Sequence, residues 1–276
     1  MPVLTLDYRH CGRKRPLYIK NSEVEGIAAL AREQLVDTNT DAIPFSVLSD
    51  ISGLKINGIA FDLFVSTNEI VHDEEGNPVL GICEYDPGIP DAAMVSVSPA
   101  GEHASEELVR STLGHELGHA IFDAPGWIVN ARGPGLFDDA SETARRAYRT
   151  TTRDAEHLAK GPPVNFGSAM SPTSISHPTQ DPHYFAELRA NEFMGSLLVP
   201  RQRLQLALKE LAPEFNVTIH HNPSLDSENL DTGFYLAASD DEGRFEMECL
   251  ERGVAAHFGV NRRFIEVRME RYGLKR

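Results

Sequence analysis

Apolar residues recur every fourth position from Val109 through Leu113 and Leu117 to Ile121. That spacing returns them to one side of an α-helix and predicts a helix with one stripe turned to a core. Ser105 ahead of Glu106 and Glu107 supplies an N-cap and an acidic first turn, which the helix dipole favours. Ser22 to Leu35 is expected to be a second helix, opened by a Ser22-x-x-Glu25 capping box. A further helix starts at Asp181 and Pro182, as N-cap and first residue. It buries Ala186, Ala190, Phe193 and Leu197 and ends at Leu198-Val199 before Pro200. Ile59, Phe61, Leu63 and Val65 alternate at period two, as a half-buried strand does, and Val79 to Glu84 and Met94 to Ser98 read as further strands. Phe215 to His221 and Gly233 to Ala238 have strand-like composition, and Asp240-Asp241-Glu242-Gly243 reads as a turn. A weak apolar side over Asp138 to Lys160 predicts another helix, and Gly161 to Pro182, rich in Pro, Ser and Thr, reads as loop. The expected class is α+β.

The stripe of the 105–121 helix leaves another face that carries Thr112, His115 and His119. His115-Glu116-Leu117-Gly118-His119 reads H-E-x-x-H. Residues four apart stack on one helical face, so both imidazoles reach one metal ion, here Zn2+. Glu116 points about a quarter-turn away and can hold the attacking water rather than the metal. Gly114 and Gly118 are poor helix formers, so two of them inside a helix predict close approach by another backbone.

A catalytic zinc site needs a third protein ligand and an open fourth position. Glu187 is the best candidate, with Asn191 one turn on to hydrogen-bond a ligand imidazole. Spacing alone is equally consistent with an exposed Glu on an amphipathic helix. The pattern Glu187-x-x-Ala190-Asn191-x-Phe193 with Leu197-Leu198-x-Pro200, downstream of the H-E-L-G-H run, resembles the ImmA/IrrE family of metallopeptidases. Ser22 to Leu35, Ile43 to Leu48, Gly53 to Ile56 and the segments Val254–Asn261 and Arg268–Leu274 are similar to that family's pattern as well. The resemblance implies a zincin-like core with a small mixed sheet, the H-E-x-x-H helix and a helical C-terminal half. It implies zinc on His115, His119 and Glu187, and a zinc endopeptidase with few protein substrates. Members of that family are often linked to proteolytic removal of a helix-turn-helix repressor, which turns on a stress, mobile-element or defence operon.

The chain departs from the pattern between the two motifs, where His119 and Glu187 lie 187 − 119 = 68 positions apart. Residues 124–182 are therefore expected to be an insertion in a metallopeptidase domain of residues 1–210. It would lie over the cleft as a lid or substrate-selecting element, or merely decorate the surface. His157, His177 and His183 could offer a competing third ligand or a transition-state donor, and His177, His183 and Tyr184 are candidates to stabilise an oxyanion, with none preferred. Residues 211–276 would add a β-element and a helix pair as a sensor or partner surface. Met94 to Ser98 is expected to be the sheet edge to which a peptide substrate adds as a strand. Cys83 is either a buried core residue or an inhibitory fourth zinc ligand.

Composition narrows the partners. The 276 residues carry 41 acidic against 26 basic side chains, a net charge of −15. Such a surface repels phosphate backbones and suits a basic protein partner. Arg262, Arg263, Arg268, Arg271, Lys275 and Arg276 concentrate positive charge at the C-terminus, which keeps open a non-proteolytic regulator that binds DNA through those helices. A structural zinc protein is a further alternative, against which Glu116 speaks. No apolar run of ~18 residues predicts a membrane span, and three scattered cysteines predict no disulfide framework. A cytoplasmic location is expected.

Overall fold

The computed structural model describes residues 2–73, 76–101, 104–132, 146–150, 182–221, 233–238 and 240–276. Their centre is a mixed six-stranded sheet in the order β1-β2-β3-β7-β6-β8. Its strands are β1 (Val3–Leu6), β2 (Gly53–Ile56), β3 (Ile59–Ser66), β6 (Gly81–Tyr85), β7 (Ala92–Val97) and β8 (Arg146–Thr150). β1 runs parallel to β2, and β3 parallel to β7. The β2–β3, β7–β6 and β6–β8 pairs are antiparallel. Two small ribbons stand apart, β4 (Val71–His72) with β5 (Pro78–Val79) and β9 (Ile219–His221) with β10 (Phe234–Leu236). The mixed helix and strand content is α+β.

The helices are α1 (Asn21–Leu35), α2 (Phe45–Ser49), α3 (Glu106–Phe122), α4 (Ala124–Arg132), α5 (Pro182–Leu198), α6 (Arg201–Leu211), α7 (Asp241–Phe258) and α8 (Arg262–Arg271). α3 packs on β6 and β7 on one side and on α5 on the other, and α1 lies against α5. One contiguous apolar core runs from Leu4 to Leu274 and takes in residues on both sides of position 210. No helix among the described residues is long and apolar enough to cross a membrane.

Several expectations are corrected here. The α1 box closes on Lys20 rather than Ser22, with the Glu23 carboxylate accepting from the Lys20 backbone N–H at 2.8 Å. The stripe on α3 is not one-sided: Ser111 to Phe122 are all buried, because sheet and helices enclose the helix all round. Asp240 to Gly243 is a helix start, with the Asp240 side chain accepting from Gly243 N at 2.8 Å; the residues that make turns also cap helices. β7 is paired on both sides, so the Met94–Ser98 region is the interior of the sheet and not its edge. The helix expected over 138–160 gives way, where described, to strand β8, which finds a partner in β6. The first part of the expected insertion is core: in α4, Pro125 fits the first turn, Ile128 is fully buried and Trp127 nearly so.

Candidate metal centre

The two motif helices meet face to face. Gly118 makes this possible, since a Cβ there would lie 2.8 Å from the Cα of Ala190. The close approach predicted for the glycines is thus between α3 and α5. It brings together His115, His119 and Glu187, whose ligand atoms all lie within 4.8 Å of one another, the candidate metal-ligating cluster found among the described residues. The two Nε2 atoms are 3.1 Å apart, and the two Glu187 oxygens divide between them, Oε2 at 3.3 Å from His115 and Oε1 at 3.3 Å from His119. His119 is fully buried and His115 nearly so, while the Glu187 side chain keeps 31 % of its exposure, so the cluster opens to solvent on the glutamate side.

The outer ring nitrogens are also engaged. His115 Nδ1 lies 3.1 Å from Asn191 Oδ1, and His119 Nδ1 lies 2.9 Å from Asp123 Oδ2. Both acceptors place the proton on Nδ1, which turns both Nε2 lone pairs toward the Glu187 carboxylate. Electron pairs from two nitrogens and a carboxylate facing one another demand a cation. A proton on His119 Nε2 can serve as that cation: burial opposes a charge there, yet the hydrogen bonds and charges of Asp123 and Glu187 outweigh it and push the His119 pKa up to about 10. Burial likewise disfavours ionised Glu187, but His115 and His119 hold its carboxyl well below the usual range. Nitrogen and carboxylate donors around one point, each ring oriented from behind, could hold a metal ion.

Asp123 is the site residue that sequence reasoning missed. It stands one turn beyond His119, at the C-cap of α3, and its other oxygen accepts from Arg189 Nη2 at 2.9 Å. An acid four residues after a ligand histidine was the available signal. Arg189 comes from α5, so Asp123 ties the two helices together behind the candidate ligand cluster. Tyr8 closes the same helix end, its hydroxyl shared between the carbonyls of Ile121 and Phe122 at 3.0 and 3.2 Å.

Glu116 is fully buried and faces β6: a Cβ on Gly81 would lie 3.1 Å from Glu116 Oε1 and 2.6 Å from Thr112 Cγ2. Only glycine lets β6 pass this close. Cys83, on the same strand, is fully buried and is not among the converging ligand atoms. Burial, then the charges of Glu116, Asp123 and Glu84, push its thiol well up, which disfavours the thiolate a metal needs. His157 and His177 lie outside the described residues. Tyr184 is exposed on the first turn of α5, next to His183.

The C-terminal basic residues are committed elsewhere. Arg262 pairs with Glu251 at 2.9 Å, Arg263 with Glu266 at 2.6 Å, and Lys275 with Glu251 and Glu266 at 2.6 and 2.9 Å. Arg268 is buried against Glu192 at 3.1 Å, Arg271 reaches the same carboxylate at 3.0 Å, and Arg276 lies over the Tyr235 ring. The chain matches no family model, no curated protein and no solved structure.

Proposed function

We propose that this chain is a zinc-dependent endopeptidase with a zincin-like core. The observation that carries the reading is the convergence of His115, His119 and Glu187 beside the buried carboxylate of Glu116. A purely structural zinc site has no use for that carboxylate. When bound, zinc supplies Lewis-acid polarisation of the scissile carbonyl and acidifies water. Glu116 takes the proton from the attacking water and delivers it to the departing amine nitrogen. Asn191 and Asp123 hold the two imidazoles in the tautomer that faces the metal.

The narrower reading, cleavage of a helix-turn-helix repressor to derepress a stress, mobile-element or defence operon, rests on the resemblance carried by Glu187-x-x-Ala190-Asn191-x-Phe193. The competing reading, a DNA-binding regulator, has less to draw on, because the C-terminal cations are already paired with acids or stacked. Glu116→Gln tests the peptidase. It should lower the appearance of new protein N-termini in expressing cells by about 10²–10⁴-fold, the usual worth of a general base. Zinc content and unfolding midpoint should stay those of the parent. New N-termini at the parent's rate, or a folded parent protein that purifies without stoichiometric metal, refutes the reading.

A further inference from the structure

β6 borders the candidate active site. The pairs that its outer edge makes therefore decide what can enter there. Its inner edge belongs to β7, in the register Gly81↔Val97 to Glu84↔Met94. Its outer edge carries β8, antiparallel, from Gly81↔Thr150 through Cys83↔Tyr148 to Tyr85↔Arg146. The pair at Gly81 stands where β6 touches Glu116 and Thr112. β8 also lies against α3 itself. An extended main chain thus runs along the strand nearest the catalytic carboxylate.

Such a ladder is the chemistry by which a peptide adds to a sheet edge, with main-chain hydrogen bonds giving affinity and few side chains read. β8 belongs to the stretch between the two metal-bearing helices, which is far longer than the connection requires. We propose that β8 occupies the position of a substrate segment, so that the resting protein is blocked by its own chain. This rests on the peptidase reading above. A strand tethered in the same chain competes at an effective concentration in the mM range, which an ordinary substrate does not reach. Cleavage then requires a segment that outcompetes β8, or a partner that withdraws it. The device restricts the enzyme to few substrates without a selective side-chain pocket.

The test is the double variant Ala147→Pro/Tyr148→Pro in the full-length, zinc-loaded protein. Backbone N–H groups alternate along a strand, so one of two consecutive prolines removes a donor aimed at β6. A second variant, with residues 146–150 replaced by Gly-Gly-Ser-Gly-Gly, asks the same question without proline. The probes are fluorescein-labelled unfolded casein and the N-termini of a cell lysate, with amide exchange over Gly81 to Tyr85 recorded alongside. The expected result is faster exchange in β6 and cleavage raised about tenfold or more, as when an occupant present in some nine-tenths of molecules is removed. Glu116→Gln in the same background should abolish that cleavage, and an added peptide of residues 146–150 should suppress it. Faster exchange with cleavage at the parent rate, or cleavage lost while fold and zinc are retained, overturns the blocking role and leaves the peptidase standing. Absence of Glu116-dependent cleavage of either probe by parent and both variants removes the peptidase reading, and the proposal with it.

Discussion

Asp123→Asn removes a charge from behind His119 while keeping the outline of the side chain. The parent carboxylate accepts from His119 Nδ1 at 2.9 Å with one oxygen and from Arg189 Nη2 at 2.9 Å with the other. Its side chain is only 8 % exposed and His119 is fully buried, so water screens neither contact. An amide has one acceptor oxygen. Turned to His119, it presents its NH2 to the Arg189 guanidinium, donor against donor; turned to Arg189, it presents the NH2 to Nδ1. A charge-assisted hydrogen bond contributes about 1.5–3 kcal/mol and a neutral one about 0.5–1.5. The difference, about 1–2 kcal/mol, falls on the basicity and orientation of a ligand ring. At about 1.4 kcal/mol per decade this predicts zinc binding weakened about 10-fold, at the lower end of the 10–100-fold range for such outer partners. Competition against a chromogenic chelator at neutral pH measures it. The metal-free variant should also lose about 1–3 kcal/mol in urea unfolding, because Arg189 loses a partner while only 17 % exposed. Zinc affinity within twofold of the parent in a folded variant would show that the α3 backbone alone orients His119, and the reasoning would fail.

Gly118→Ala should destabilise the metal-free protein by about 1–3 kcal/mol despite the better helix propensity of alanine, since the new methyl meets backbone at Ala190 and α3 and α5 must part; a raised urea midpoint contradicts the packing. Glu192 gives a pH test. Burial opposes its charge, but Arg268 and Arg271 outweigh it and lower its pKa from 4.5. Its stabilisation is therefore complete above the unfolded value and lost as pH falls through the folded one. The gap between parent and Glu192→Gln, about 3 kcal/mol at neutral pH, should shrink below about pH 4.5; a gap that widens with acid refutes the ion pair. Cys83→Ala should lower stability by about 1 kcal/mol through lost packing and leave cleavage within twofold. A rise in basal cleavage would place the sulfur at the metal after all.

The elements that bear the candidate site were legible because their signals are local. Ser105 caps α3 as its sequence suggests, its hydroxyl accepting from Leu108 N at 3.3 Å, and the i, i+4 spacing of His115 and His119 fixes a shared face wherever that helix lies. Pro182 opens the helix of Glu187 and Pro200 closes it. Asn191 was reached by the same arithmetic, and Asp123 lay within its reach, one turn past His119. The pairing of Arg262, Arg268 and Arg271 was not legible, since their acids, Glu251 and Glu192, sit on other helices.

Strand order was out of reach for a related reason. A strand reads the same along the chain at the edge of a sheet as in its middle, because alternation reports which face is buried and says nothing of which neighbours complete the ladder. That is why Met94 to Ser98 passed for an edge and Arg146 to Thr150 for part of a helix. The residue sequence by itself determined the chemistry on offer: two imidazoles, a carboxylate next to one of them, and a distant glutamate on a capped helix. Only the tertiary structure decided that the glutamate closes the cluster, that Gly81 draws β6 onto Glu116, and that β8 lies along β6, because each is a contact between segments far apart in the chain and set by the packing of the whole core.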